Sequence, residues 1–223
     1  MQGEGVSSGR ACAFLRLGGC NLTCRWCDTP YTWDWKGVGD AGIAYKPADE
    51  LHALPEQVVV QRLLGLGVDL IVVSGGEPLN QQYRLEPVIR ALHDHGIEVE
   101  IETNGTVIPS AWMVDSGVRF NVSPKLAHSG VAEHRRIVPD ALTALAKVQG
   151  TAFKFVCADP ADLDEIGHIV DRFSLRNIWI MPLGQTVDEI ADRLRRLVDP
   201  VVARGWNLTN RMHVLIWGSE RGV

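Results

Sequence analysis

The sequence lacks any run of apolar residues long enough to cross a bilayer. It also lacks a basic excess: 22 Lys and Arg face 27 Asp and Glu, a formal net charge of −5, with both signs dispersed. That balance leaves no electrostatic footprint for nucleic acid or an anionic membrane. The opening Met-Gln-Gly-Glu-Gly has neither the basic nor the apolar block of a secretory signal. Cysteine is scarce, five in 223 residues with three of them clustered, so no disulfide framework is expected. These absences point to a reducing compartment, the cytoplasm. No repeat, low-complexity tract or linker interrupts the chain. At 223 residues and 46 % hydrophobic, it has enough apolar matter for one full core, so a single domain over 1–223 is expected.

A fourth cysteine is also missing, and that absence is the most informative. Cys20, Cys24 and Cys27 stand in a Cys-x3-Cys-x2-Cys run with no further cysteine nearby. A structural zinc site or an electron-transfer cluster normally takes four protein ligands. Three thiolates can hold three irons of a 4Fe–4S cubane and leave the fourth iron open to a small molecule, which predicts an enzyme. The alternatives are a zinc knuckle completed by a distant histidine such as His52, or a non-enzymatic metal-binding module. Cys12 and Cys157 fall inside predicted strands and read as core thiols.

What is present is an alternation of strands and helices. Strands are predicted at Cys12–Leu17, Val68–Ser74, Val99–Glu102, Arg119–Val122, Ala152–Val156, Ile178–Met181 and His213–Trp217. Amphipathic stretches lie between them at Pro55–Leu66, Gln82–His95, Pro139–Lys147, Ala161–Phe173 and Thr186–Arg204. This order predicts an α/β fold with mostly parallel strands and right-handed crossovers, a partial or full β/α barrel. Loops after the strands carry the chemistry in such folds. Here those loops are the cysteine run, Ser74-Gly75-Gly76-Glu77-Pro78, Glu102-Thr103-Asn104-Gly105, Ser123-Pro124-Lys125 and Met181-Pro182-Leu183-Gly184, and they should converge on one rim. Tyr31–Lys46, rich in Trp, Gly and Asp, is predicted to be a loop. Tyr31, Trp33 and Trp35 within it are expected to cover the cluster region or a subunit contact.

The cysteine run, with an aromatic before its last cysteine, resembles the radical S-adenosylmethionine (SAM) superfamily. Ser-Gly-Gly-Glu-Pro after the next long strand resembles that superfamily's second motif. Within it, the chain is similar to the 7-carboxy-7-deazaguanine synthases. The narrower likeness rests on Gln2-Gly3-Glu4-Gly5, Gly9-Arg10, Phe14-Leu15-Arg16, Gly19-Cys20-Asn21-Leu22, Trp26-Cys27-Asp28-Thr29, Glu102–Gly105, Ser123–Lys125, Arg211-Met212-His213 and Trp217-Gly218, and it spans essentially the whole chain. The tail Gly218–Val223 runs past the end of some relatives. Another radical SAM enzyme, such as a glycyl-radical activase, would share the cysteines and Gly-Gly-Glu-Pro but has no need of Gln2–Glu4, Arg16 or Thr29.

The resemblance implies a radical SAM partial β/α barrel. It implies a lyase that converts 6-carboxy-5,6,7,8-tetrahydropterin to 7-carboxy-7-deazaguanine with loss of ammonia, in 7-deazapurine (queuosine-type) biosynthesis. The implied cofactors are a 4Fe–4S cluster on Cys20, Cys24 and Cys27, SAM, and a magnesium ion on the Thr29 hydroxyl. It places Trp26, Cys27, Asp28, Gly76, Glu77, Ser123, Pro124 and Lys125 at SAM, with Glu102, Asn104 and Met181–Gly184 close by. Gln2, Gly3, Glu4, Ser74 and His213 would contact the pterin. Arg16, expected to point inward with Cys12 and Phe14, would bind the substrate carboxylate. A reductant such as flavodoxin or ferredoxin and a homodimer are further implied, with no nucleic-acid or membrane partner.

Overall fold

The computed structural model describes residues 1–218 together with Glu220 and Arg221. Of the tail Gly218–Val223, Ser219, Gly222 and Val223 lie outside the described residues. Seven strands form one sheet: β1 Ala13–Leu17, β2 Leu70–Gly75, β3 Glu98–Thr103, β4 Arg119–Val122, β5 Ala152–Cys157, β6 Ile178–Pro182 and β7 Asn207–Leu208. They pair in sequential order and every pair is parallel. The first and last strands are not paired, so the sheet is an incomplete β/α barrel. The helices are α1 Pro47–Glu50, α2 Glu56–Leu64, α3 Gln82–Asp94, α4 Ala111–Asp115, α5 Glu133–Arg136, α6 Pro139–Ala146, α7 Asp162–Phe173, α8 Val187–Ala203 and α9 Met212–Trp217. None is long and apolar enough to cross a membrane.

Sequential parallel order with one crossover hand puts the connecting helices on one side of the sheet. The side chains obey that division. Ile71, Val73, Ile101, Phe120, Val122, Phe153, Phe155 and Ile180 pack against Ile89 and Leu92 of α3, Leu142 of α6, Ile166 of α7 and Leu197 of α8 in one apolar core. Strand side chains alternate faces, so the intervening residues line the opposite, concave face. Register brings Arg16 beside Ser74, Glu102 beside Asn121 and Lys154 beside Trp179. The concave face is therefore polar. The longest helix, α8, starts at a capping box: the Thr186 hydroxyl accepts from the Glu189 N–H, and the Glu189 carboxylate accepts from that of Thr186.

Six of the seven expected strands form within a residue or two of their predicted limits. The exception is His213–Trp217, which is helix α9. A five-residue apolar run cannot be assigned to strand or helix by periodicity alone. Here Leu215 and Ile216 are exposed while Val214 is buried, as on a surface helix rather than a core strand. The seventh strand is instead the two-residue Asn207–Leu208, too short to leave a pattern.

The N-terminal segment lies across the concave face. The Met212 N–H donates to the Gly3 carbonyl at 2.9 Å, and the Gly5 N–H to the Thr209 hydroxyl at 3.0 Å. The Ser7 hydroxyl donates to Glu100 at 2.6 Å, and the Gln2 amide to Glu102 at 3.1 Å. The segment thus bridges β3 to Thr209 and α9 across the concave side of the open sheet.

Candidate active site

The loops after the strands are tied to one another at the expected rim. The Glu77 N–H donates to the Gly19 carbonyl beside Cys20 at 2.8 Å. The Glu77 carboxylate accepts from the Asn104 N–H and the Thr103 hydroxyl, both at 2.7 Å, and from the Leu79 N–H at 3.0 Å. Asn104 then donates to the Asn21 side chain at 2.9 Å, and the Ser123 N–H reaches the Thr103 carbonyl at 2.7 Å. Burial pushes the Glu77 pKa up, against the pull of these donors. Glu77 was expected at the cofactor. Its carboxylate is instead fully buried and taken by protein donors, so it braces the loops around the cysteines.

Gly75 and Gly76 allow that brace. Gly75 has φ +128°, a conformation that side chains rarely adopt, and a Cβ there would lie 2.2 Å from the Leu17 carbonyl. A Cβ on Gly76 would lie 1.9 Å from the Gly19 carbonyl. Gly76→Ala must therefore displace backbone on one side of the cysteine loop. It is expected to cost about 1–3 kcal/mol and to lower iron loading, read as denaturation midpoint and iron per chain. An unchanged midpoint with full loading would contradict this close-approach role.

The three cysteines are free thiols gathered around Leu22 and Val131. Burial pushes Cys20 up to about 12 and raises Cys24 and Cys27 as well. Such thiols become anionic only beside a strong positive charge, which thiolate-bound iron supplies. Three thiols from one loop, packed about Leu22 and Val131, suit a cubane, which asks each thiolate for a separate iron. Trp26 next to Cys27 keeps a buried indole N–H with no partner among the described residues. Its ring stacks on His128 at 5.4 Å, with the Lys125 ammonium 5.7 Å away. A soft, three-thiol donor set with an unspent polar edge beside it fits a cluster with a small polar ligand. Trp33 packs at Cys27, as expected of the aromatic loop.

The residues expected around the pterin come together on the concave face. The Ser74 hydroxyl donates to Glu102 at 2.6 Å, and Gln2 donates to the other Glu102 oxygen. Glu4 accepts from Lys154 Nζ at 2.6 Å and from Arg211 Nε at 3.0 Å, with His213 Nε2 3.8 Å away. Burial opposes ionisation of Glu4, but Lys154, Arg211 and His213 outweigh it and hold the carboxyl well below its ordinary range. Burial also lowers the His213 pKa. Gly3 passes so close that a Cβ would sit 2.4 Å from the His213 ring; its role is to admit that ring.

Thr29 is partly exposed, with its hydroxyl 3.6 Å from the Cys27 sulfur. The Ser123 hydroxyl accepts from Lys125 at 2.9 Å beside the buried Pro124. Arg16 departs from its predicted surroundings. It shares the concave face with Ser74 but is exposed, resting over the Phe14 ring at 5.4 Å. Among the described residues it has no carboxylate partner. Cys12 is half-buried, not a core thiol, whereas Cys157 is buried as expected.

Lys154 and the side chain of Arg211 were not foreseen as site residues. Lys154 stands in the fully buried strand Ala-Phe-Lys-Phe-Val-Cys. A lysine among such residues is costly without a partner, and that was the available signal. Arg211 binds Glu4, the Gly184 carbonyl at 2.6 Å and the Asp28 carboxylate. One guanidinium therefore joins the N-terminal segment, the loop after β6 and the residue following the last cluster cysteine.

Comparison with known proteins identifies the family. The Radical SAM superfamily pattern matches residues 15–138. The chain is 33% identical to a 7-carboxy-7-deazaguanine synthase of Pyrobaculum aerophilum, covering 100% of this chain and 93% of that protein. It is 30% identical to one of Rhodopirellula baltica, covering 100% of this chain and 85% of that one. The crystal structure of QueE from Escherichia coli superposes with a TM-score of 0.72 over 96% of this chain and 90% of that one, at 24% identity, and shares the fold. The chain is thus a radical SAM enzyme, of a superfamily that works with a 4Fe–4S cluster and SAM, and within it belongs to the 7-carboxy-7-deazaguanine synthase family.

Proposed function

We propose that this enzyme converts 6-carboxy-5,6,7,8-tetrahydropterin to 7-carboxy-7-deazaguanine with loss of ammonia. The observation that carries this reading is the polar concave face. Gln2, Glu4, Ser74 and Glu102 form one hydrogen-bonded array there, and Arg211 links it to Asp28 beside Cys27. Such an array suits a flat heterocycle with several donors and acceptors on one edge. Cys20, Cys24 and Cys27 would hold the cluster, with Trp26, Asp28, Gly76, Ser123, Pro124 and Lys125 around SAM. When bound, these groups supply the one-electron chemistry.

The protein's own contribution is to bind, orient and shield. Glu4, Glu102 and His213 face the pterin ring, and Arg16 takes its carboxylate. The Thr29 hydroxyl suits a magnesium ion that draws its other oxygens from water and substrate. The N-terminal segment excludes water from the concave face. A single domain over 1–223, a homodimer, a flavodoxin- or ferredoxin-type reductant and a cytoplasmic location complete the proposal.

The test is an anaerobic assay with reconstituted cluster, SAM, reductant, magnesium and 6-carboxytetrahydropterin. SAM cleavage without any deazaguanine product would end the substrate assignment. Removing one charge-assisted bond costs about 1.5–3 kcal/mol. Arg16→Ala is therefore expected to raise the substrate KM roughly 10- to 100-fold while SAM binding survives. Equal loss of both would contradict the role given to Arg16.

A further inference from the structure

Lys154 lies on the concave face, its side chain 6% exposed, with its ammonium 2.6 Å from Glu4 Oε2 and 3.7 Å from Glu102 Oε1. It and Arg211, which Glu4 shares with Asp28, are the cations set among Glu4, Glu102 and Asp28. A buried lysine is costly without partners, and an ammonium carries three N–H donors, more than Glu4 alone takes up.

The hydrogen-bonding capacities point to its use. A carboxylate offers about four lone-pair sites. Glu4 spends one on Arg211 and one on Lys154, which leaves capacity for two donors side by side. Gln2 is committed within the protein: its amide donates to Glu102, and its oxygen accepts from the Glu4 N–H at 3.2 Å. The Lys154 ammonium lies against Glu4 Oε2, the oxygen that Arg211 does not bind. Nearby, Gly5 packs between Lys154 and Asn121, and the buried Asn121 side-chain oxygen has no partner among the described residues. The array thus has unspent acceptor capacity at Glu4 and at Asn121, both close to Lys154.

A pterin edge presents a carbonyl acceptor, a ring N–H donor and an amino donor in that order. Lys154 followed by the two Glu4 oxygens presents donor, acceptor, acceptor. We propose that Lys154 is a specificity-determining residue that donates to the 4-oxo group of the pterin, while Glu4 accepts from the adjacent N–H and amino groups. This rests on the substrate proposed above and adds which edge is read and by which side chain. A 4-amino analogue carries a donor where Lys154 donates and an unprotonated ring nitrogen where Glu4 accepts, so it is rejected.

The experiment is anaerobic equilibrium binding to the reconstituted, SAM-loaded enzyme. The ligands are 6-carboxypterin and its 4-amino counterpart, 2,4-diaminopteridine-6-carboxylate; both keep the carboxylate for Arg16. The wild type is expected to favour the 4-oxo ligand by at least ~100-fold, since a site built to hydrogen-bond a group strongly rejects a mismatched analogue. Lys154→Gln, whose amide can present either an N–H or an oxygen, should lower the ratio at least ~10-fold, the mismatch at Glu4 accounting for what remains. Lys154→Met should do the same. Equal affinities in the wild type overturn the proposal, and so does a folded variant that keeps the wild-type ratio. Should both variants fail to fold, the wild type is tested on the 4-thioxo counterpart, which keeps the ring N–H and amino group for Glu4 but accepts poorly at position 4: a loss of ~10-fold or more supports the donor at that position, and equal affinity overturns the proposal. Failure of the wild type to bind 6-carboxypterin at all would instead remove the substrate assignment.

Discussion

Lys154→Met is expected to lower folding stability by about 3–5 kcal/mol, the cost of removing one partner from a buried ion pair. The methionine fits the space of the lysine stem, so lost packing is small and the penalty falls on the carboxylates. Glu4 would lose its 2.6 Å partner and Glu102 its nearest cation. The effect depends on pH. Glu4 is held below its ordinary range in the folded protein. Its contribution is therefore present above the unfolded pKa near ~4.3 and is lost as pH falls through the folded value. Denaturation midpoints of wild type and variant should differ most near neutrality and converge in acid. A gap that stays constant from neutral to acidic pH would show that packing, not charge, accounts for the loss. Adding Glu4→Gln to Lys154→Met should recover part of it, because the two effects share one interaction.

Cys24→Ala is expected to abolish SAM cleavage and product formation together, while folding changes far less. Cys24 is the most buried of the three cluster cysteines, packed with Leu22 and Val131. Its replacement leaves a small cavity but no orphaned charge. What goes is one of three cluster ligands, and the remaining two cannot hold the cubane with a single open iron. The checks are iron and sulfide per chain, the cluster absorbance after anaerobic reconstitution, and release of 5′-deoxyadenosine from SAM. Full activity in this variant would refute radical SAM chemistry for the chain. Loss of product with SAM cleavage intact would instead assign Cys24 a role away from the cluster.

The two variants probe parts of the site that differed in legibility. The cysteine run and Ser74–Pro78 were readable because each is contiguous and its spacing has a chemical reason. The strands were readable because β2 and β6 are short unbroken apolar runs, while β3 to β5 carry apolar residues at alternate positions, an imprint of one face packed on helices. The same alternation held the rest of the site, since Glu98, Glu100 and Glu102 in β3, Asn121 in β4 and Lys154 in β5 all fall on the opposite face. Which of them meet could not be seen, because their partners come from the chain's beginning and end: Glu4 with Lys154, and Arg211 with Asp28. Contacts across such separations follow from closing the tertiary structure and leave no local pattern. Arg16 misled for a related reason. Its strand is at the sheet edge, so a position predicted to be inward opens to solvent. The strand–helix error at His213–Trp217 reflects a run too short to display either period.

The bonds that join the N-terminal segment to the chain's end have a consequence for biosynthesis. Gly3 is held by Met212, and Gly5 by Thr209. On a ribosome, residues 2–7 emerge long before Thr209 and Met212 and meet them only when α9 has cleared the exit tunnel. Until then the acidic concave face has no cover, and Glu4 and Arg211 cannot pair. The strands can assemble in order as they appear, each against its predecessor, because the sheet follows chain order. The concave site then closes only once α9 is made. Substrate binding therefore waits for a contact between residues far apart in sequence, whose closure costs more chain entropy than pairing neighbouring strands.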